Sequence, residues 1–426
     1  MSLKVVHFNC CGMDVHKNVI VATIGVTDPS TLITEYHQRS FSTYNCDLIQ
    51  MADWLSGYDC SKVCMESTGK YWIPVFNILE SRNFEICLVH PKYTKAIKGK
   101  KTDKKDSKWI CDLYKYDLVK SSFIPPKEIR ELREIARYYY KLIEMNSSES
   151  NRFQNCMTIS NIGLGSALSD PMGSTGMKIM DELLNSDNVT DEKILKLIHG
   201  GCKNKDKILE AVRNSNISSD ARFKLKEIQK HKTELDQHIT ACLTEMYVRA
   251  VPLLPQFQHI TEMKGISSLS AILIISEIGV NMNIWDSGKQ LCSWAGLVPG
   301  NNESANKKKS VRITKAGQYL KPLLVQCALS AIKDKKGYFG IKYYRIRKRR
   351  GHKKAIIAIA RMMLICIYHM ILTGESFNPT DYDELMNPKP STYKKLTVES
   401  AIDFLKANSI SIEEIEAAFN TKPLSS

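Results

Sequence analysis

The sequence predicts an α/β domain at the N-terminus followed by a mostly α-helical remainder. Before Pro125-Pro126, short β-rich runs alternate with segments of helical spacing. After that dipeptide, apolar residues recur at intervals of three and four over long stretches. The chain has 426 residues, enough for two or three separate cores.

Residues 4–26 read KVVHFNCCGMDVHKNVIVATIGV, two β-rich runs flanking the polar turn Asp14–Asn18, which is a hairpin signal. Residues 45–56 have the pattern of a short amphipathic helix. Lys62–Met65 is a short apolar strand that ends at Glu66-Ser67-Thr68-Gly69. Trp72, Val75, Phe76 and Leu79 give Tyr71–Ser81 helical spacing, and Phe84–Val89 is strand-like again. A lysine-rich segment follows, and its second half has helical period. From Glu128 to Ile159 the pattern is helical. Residues 163–220 are rich in Gly, Ser, Asn and Asp around short helices, and Ala221–Tyr247 reads as one long helix. Its positions Ile228, Leu235, Ile239, Leu243 and Met246 have coiled-coil spacing. An intramolecular helical hairpin and an arm that pairs subunits both fit that spacing. The expected organisation is an α/β domain over 1–126, a helical, coiled-coil connector over 127–255, a compact and mostly helical domain over 256–375, and a polar tail over 376–426.

Lys plus Arg exceed Asp plus Glu by 15, and the pI is about 9.1. The positive residues cluster, which points to a polyanionic partner. Thirteen cysteines without a CxxC pair read as reduced thiols of a cytosolic protein, and they make structural zinc improbable. The first residues do not have a charged-then-apolar pattern, so a signal peptide is not expected in them. The apolar stretch Ala355–Leu372 contains Arg361 and His369, so a buried helix suits it better than a membrane span.

Four carboxylates stand out by position. Asp14 ends the first strand, Glu66 ends a later one, and Asp103 and Asp106 lie three apart at the start of a helix, on one side of it. In an RNase H/RuvC-like sheet these three places converge. Converging like charges need cations, and hard oxygen ligands suit Mg²⁺, or Mn²⁺ in its place. Two such ions stabilise the attacking and leaving oxygens of a phosphoryl transfer. Lysines between Lys98 and Lys108, including Lys104 and Lys105, then bracket a nucleic-acid backbone. Each acid also has a plainer explanation: Asp14 as a turn residue, Asp103 as a helix N-cap following Thr102. His16, Lys17 and His90 lie nearby, where solvated loop positions explain them as well.

Residues 260–271, ITEMKGISSLSA, have the form of a helix-hairpin-helix, with Lys264 in its turn and a helix N-terminus able to hold a phosphate. A helix from about Gly288 to Ala295 leads into Gly296-Leu297-Val298-Pro299 and a polar, flexible loop. That loop places Ser304 before Lys307, Lys308 and Lys309, with Arg312 and Lys315 beyond. Chemistry alone reads it as a solvated basic loop, because no base other than Glu303 is close to the serine. Residues 341–354, IKYYRIRKRRGHKK, interleave eight Lys or Arg, among them Arg347, Arg349 and Arg350, with two tyrosines, which suits nucleic acid.

The order GMDVHK, MESTG, KTDKKDS, MKGIS and WAGLVPG–ESANK–ITKAGQYL resembles the 110 family of bacterial insertion sequences, including its 1111 branch, from about residue 8 to 372. The resemblance implies a transposase with a DEDD RuvC-like domain, a coiled-coil connector and a C-terminal transposase domain. It implies that Asp14, Glu66, Asp103 and Asp106 bind Mg²⁺ and that Ser304 attacks DNA to form a covalent phosphoserine link. It further implies dimers pairing into a tetramer, donor and target DNA as substrates, and an element-encoded bridge RNA as guide, in the bacterial cytosol or nucleoid and away from membranes. The family's Gly-Gly after the serine is Ala305-Asn306 here. Two other readings remain: a RuvC-like nuclease or Holliday-junction resolvase without serine chemistry, and a non-catalytic nucleic-acid-binding protein.

Overall fold

The computed structural model describes residues 4–386, apart from 68, 95–101, 187, 301, 305, 306 and 311, and beyond 386 only residues 402, 406, 411 and 413. The chain divides into two compact units, Met1–Pro126 and Lys127–Ser426.

The first unit is built on a five-stranded mixed sheet of order β3-β2-β1-β4-β5. Its elements are β1 (Asn9–Val15), β2 (Val19–Thr27), β3 (Thr34–Ser42), α1 (Asn45–Ser56), β4 (Lys62–Glu66), α2 (Trp72–Ser81), β5 (Glu85–Val89), the short α3 (Pro91–Thr94) and α4 (Asp103–Lys115). β1, β2 and β3 form an antiparallel meander; β4 runs parallel to β1, and β5 parallel to β4. This is an RNase H-like arrangement with β1 central. Side chains alternate between the two faces of β1. Cys11, Met13 and Val15 join Ile20, Ile24, Val63 and Met65 under Leu48, Met51 and Leu55 of α1 and Val75 and Leu79 of α2. Cys10, with Cys64, Cys87 and Val89, faces Ile110, Cys111 and Tyr114 of α4.

The sequence pattern does not predict β3. Its residues, TEYHQRSFS, are mostly polar because it is an edge strand whose side chains are largely half-buried or exposed. Backbone pairing to β2 along its whole length makes it a strand.

In the second unit, α5 (Lys127–Ile159) and α10 (Ser219–Ala250) run side by side, with α6 (Leu164–Ala167), α7 (Ser174–Asn185), α8 (Asp191–Leu197) and α9 (Lys205–Arg213) between them in the chain. Leu142 packs with Leu235 and Ile239. Arg249 pairs with Glu131 at one end, and Lys232 donates to Ser150 Oγ toward the other, so the two helices are antiparallel. The intramolecular hairpin, one of the two structures that fit the coiled-coil spacing, is present in this chain. The short helices close one end of it around Phe153, Ile179, Met180 and Leu225.

The remainder is α11 (Leu254–Thr261), α12 (Ser268–Ile278), α13 (Gly288–Trp294), the hairpin β6 (Asn302–Ser304) and β7 (Lys307–Ser310), α14 (Leu320–Ala331), α15 (Tyr338–Arg350), α16 (His352–Thr373) and the short α17 (Tyr382–Met386). α16 is long and apolar enough to cross a membrane. Here it buries Ile356, Ile359, Met363, Leu364 and Ile367 among the other helices, as a core helix does. Glu277 at the end of α12 is buried and receives a bidentate contact from Arg137 of α5, at 2.8 and 2.9 Å. Arg133 donates to the Ser276 and Glu277 carbonyls at 2.9 and 2.6 Å, capping the helix end. Burial pulls the Arg133 guanidinium down to about 10, against the attraction of Glu277.

Candidate active site

The acids are placed by the register of two strands and the crossing of one helix. Gly12 pairs with Cys64 and Met13 with Met65 across the parallel β1–β4 ladder. One step further along, Asp14 and Glu66 stand at the C-terminal ends of neighbouring strands. By alternation Asp14 shares the α4 face with Cys10 and Gly12. α4 reaches that face because Gly12 has no side chain: a Cβ there would lie 2.4 Å from the Ser107 carbonyl oxygen and 2.1 Å from the Cys111 nitrogen.

The first turn of α4 is fixed from below and from the side. Thr102 is the N-cap, its hydroxyl accepting from Lys105 N at 3.4 Å, so Asp103 is the first helical residue and not the cap. Ser107 Oγ shares a 2.7 Å hydrogen bond with Thr23 Oγ1 of β2. Gln38 Nε2 of β3 donates to Thr23 Oγ1, Ser107 Oγ and the Lys104 carbonyl at 2.7, 3.1 and 2.8 Å. This network, buried at Thr23 and Ser107 and exposed at Gln38, ties three elements together beside the acids.

Asp14, His16 and Asp103 form a group whose ligand atoms all lie within 4.8 Å of one another, the one such group among the described residues. His16 Nε2 is 3.1 Å from Asp14 Oδ2 and 3.6 Å from Asp103 Oδ1. Burial raises the Asp14 carboxyl above the ordinary range; His16 opposes that rise, and the charges of Asp103 and Asp106 add to it. Asp106 is half-buried one turn along from Asp103. Glu66 is held by α3: the Thr94 hydroxyl donates to Glu66 Oε2 at 2.6 Å, and Trp109 Nε1 donates to the Thr94 carbonyl at 3.1 Å.

Asp14 and Asp103, far apart in sequence, therefore meet, with Asp106 within electrostatic reach and Glu66 on the adjoining strand end. Glu66 and Asp106 stand outside the tight group. His16, which the sequence explains as a solvated loop residue, stands inside it. The signal is its position two residues after Asp14, which in extended chain puts both side chains on one side. Crowded hard oxygen donors, with the charges of Asp103 and Asp106 adding to the rise at Asp14, fit a divalent cation such as Mg²⁺ or Mn²⁺.

In the second unit, WAGLVPG and ITKAGQYL lie back to back. Gly296 and Gly317 both have φ of +69°, and each approaches the other segment's backbone, at Ala316 and Ala295. Pro299 bridges to Ile313, and the chain between is a β-hairpin where the sequence suggests a flexible loop, with Ser304 paired to Lys307. The backbone ladder supplies the order that the polar composition does not signal. Ser304, Lys307 and Lys308 sit on this hairpin, but their side chains lie outside the described residues, as do residues 95–101 of the lysine-rich segment. Arg312 and Lys315 are exposed beyond it, and Lys104 and Lys105 are exposed on α4. Lys264 lies in the turn between α11 and α12 and pairs with Asp334 at 2.6 Å. Arg347, Lys348, Arg349 and Arg350 are all exposed on the last turn of α15, while Tyr338, Phe339 and Tyr343 bury its other side.

Two family models match the chain. One, described as Transposase and drawn from the DEDD transposases of the IS110 group, matches residues 11–162. The other, described as Transposase IS116/IS110/IS902 family, matches residues 257–345. The chain belongs to the IS110 family of transposases. The first match takes in all four acids of this transposase, and the second takes in the Ser304 hairpin and most of α15. No curated protein matches the sequence.

Proposed function

We propose that this transposase cuts and rejoins DNA with two sets of residues, the acids of the first unit and Ser304 of the second. The observation that carries the reading is the meeting of Asp14 and Asp103 at the end of β1, beside Glu66 on the parallel neighbour. Asp14, Glu66, Asp103 and Asp106 would hold the divalent cations, which when bound supply charge stabilisation at the attacking and leaving oxygens of a phosphodiester. The Thr23–Gln38–Ser107 network keeps α4 at the spacing those ligands require.

In the chemical step, Ser304 Oγ gives up its proton and attacks phosphorus. The Oγ–P bond forms, the bond from phosphorus to the leaving sugar oxygen breaks, and that oxygen takes up a proton. Reversal by a sugar hydroxyl of a second DNA end rejoins the strand. On this reading residues 1–126 carry the acids, 127–255 connect, 256–375 present Ser304, and 376–426 form a tail. Copies of the chain pair as dimers within a tetramer. Lys104, Lys105, Lys264, Lys307, Lys308, Arg312, Lys315, Arg347, Arg349 and Arg350 contact nucleic-acid backbone. The guide that selects donor and target DNA is an RNA encoded by the element, a reading that rests on the family resemblance.

The test is a DNA substrate carrying an element end, incubated with protein and Mg²⁺ and resolved under denaturing conditions. Wild type gives a covalent protein–DNA adduct. Ser304→Ala abolishes the adduct, and Asp14→Asn abolishes both adduct and cleavage. Cleavage that persists unchanged in Ser304→Ala overturns the serine step and identifies a metal-dependent nuclease.

A further inference from the structure

We infer that His16 is a nitrogen ligand of the cation held by Asp14 and Asp103, and that this ligand tilts the site from Mg²⁺ toward Mn²⁺. The inference rests on the proposal that the acids bind a divalent cation, and it adds the identity of a further ligand and of the ion.

Neighbouring ligands on an octahedral ion with bonds of about 2.1 Å lie about 3.0 Å apart, because the bonds meet at right angles. His16 Nε2 is 3.1 Å from Asp14 Oδ2 and 3.6 Å from Asp103 Oδ1. The imidazole nitrogen thus already stands at the edge spacing of a coordination shell from Asp14 Oδ2, with Asp103 Oδ1 somewhat beyond it at 3.6 Å. Its backbone is set by the tight turn between β1 and β2, where His16 N donates to the Val19 carbonyl at 2.9 Å. Asp14 and His16 are separated by one residue of extended chain, so they project together toward the start of α4.

Chemistry then selects the ion. Mg²⁺ is hard, keeps oxygen ligands and retains water. Imidazole suits later first-row ions such as Zn²⁺, Cu²⁺, Fe²⁺ and Ni²⁺ best; Mn²⁺ shares the octahedral oxygen shell of Mg²⁺ but, as a transition metal, admits a nitrogen into it more readily than Mg²⁺ does. An all-carboxylate set favours neither ion in this way; a carboxylate–imidazole–carboxylate set does. The rival account makes His16 a hydrogen-bond donor that orients Asp14 from outside the shell.

The experiment uses the full chain titrated with MnCl₂, followed by electron paramagnetic resonance of free Mn²⁺, with MgCl₂ as competitor. Pulsed measurements on the bound Mn²⁺ read directly coordinated ¹⁴N. Wild type should show ¹⁴N modulation, and His16→Gln should lose it. Mn²⁺ binding should weaken by about tenfold or more in His16→Gln and in His16→Ser. Mg²⁺ binding, read by competition, should change by clearly less. The His16 side chain is 45% exposed in its turn, so both variants should keep the wild-type circular dichroism. The wild-type ¹⁴N reading stands even if they do not. Bound Mn²⁺ without ¹⁴N modulation, or equal losses of Mn²⁺ and Mg²⁺ affinity, overturns the inference and leaves the acidic site intact. A wild-type chain that binds neither ion overturns both.

Discussion

The Ser107 carbonyl oxygen of α4 passes over Gly12 of β1 so closely that a Cβ at Gly12 would lie 2.4 Å from it. This approach sets the distance between Asp14, two residues on, and Asp103 and Asp106, which begin the same helix. Gly12→Ala must push α4 off the sheet, because the atoms in the way are backbone. Overpacking of this kind costs about 2 kcal/mol or more. Urea unfolding should show that decrease, together with weakened Mn²⁺ binding. Unchanged stability would mean that α4 docks elsewhere.

Asp14 links stability to pH in a defined direction. Its folded-state carboxyl is raised, chiefly by burial. Below the unfolded value of about 4 both states are protonated and nothing is lost. As pH rises through the interval up to the folded value, the folded state is penalised, and the penalty stays at neutral pH. Asp14→Asn removes the charge, so in chelator at pH 7 it should melt a few degrees higher than wild type, and the gap should close near pH 3. Mn²⁺ or Mg²⁺ should raise the melting temperature of wild type and not of the variant. A variant that melts lower at pH 7 contradicts the assignment.

The buried carboxylate of Glu277 holds two arginines of α5 at the end of α12. Glu277→Gln leaves Arg133 and Arg137 without their counter-charge in a buried setting, at a cost of about 3 kcal/mol. Chemical denaturation of the variant measures it. Replacing Arg137, whose side chain is more exposed than that of Arg133, should cost less.

Arg349 and Arg350 project from the last turn of α15 without burying apolar surface. If they meet phosphates, the double substitution to Ala weakens DNA or RNA binding across sequences. The slope of log affinity against log salt should fall by about 0.9 for each phosphate that is no longer neutralised. An unchanged slope would assign these residues to a solvated surface. Thermal stability should hold in either case.

The strands and helices of the first unit are legible where burial writes a period into the chain. β1, β4 and β5 are short apolar runs, and α4 announces itself by Thr102 followed by acids and a helical stripe. β3 is not legible, because an edge strand with polar faces carries its order in backbone pairing. The hairpin around Ser304 is hidden for the same reason: lysines and serines form it, and the reason it closes lies in the close backbone approaches of Gly296 and Gly317. Asp14, Glu66, Asp103 and Asp106 can be picked out as carboxylates ending strands or opening a helix. His16 is marked only by its spacing from Asp14, and its loop position, taken alone, explains a histidine; its neighbours in space are set by the turn and by α4.

The most direct measurement of the central claim is a cut map. Fe²⁺ placed in the site with ascorbate and peroxide generates hydroxyl radicals that cleave nearby backbone. Cuts should fall at three separated segments, around Asp14, Glu66 and Asp103–Asp106, and Mg²⁺ or Mn²⁺ should suppress them together. Cuts confined to one segment, or indifferent to those ions, would show that the acids do not share a cation.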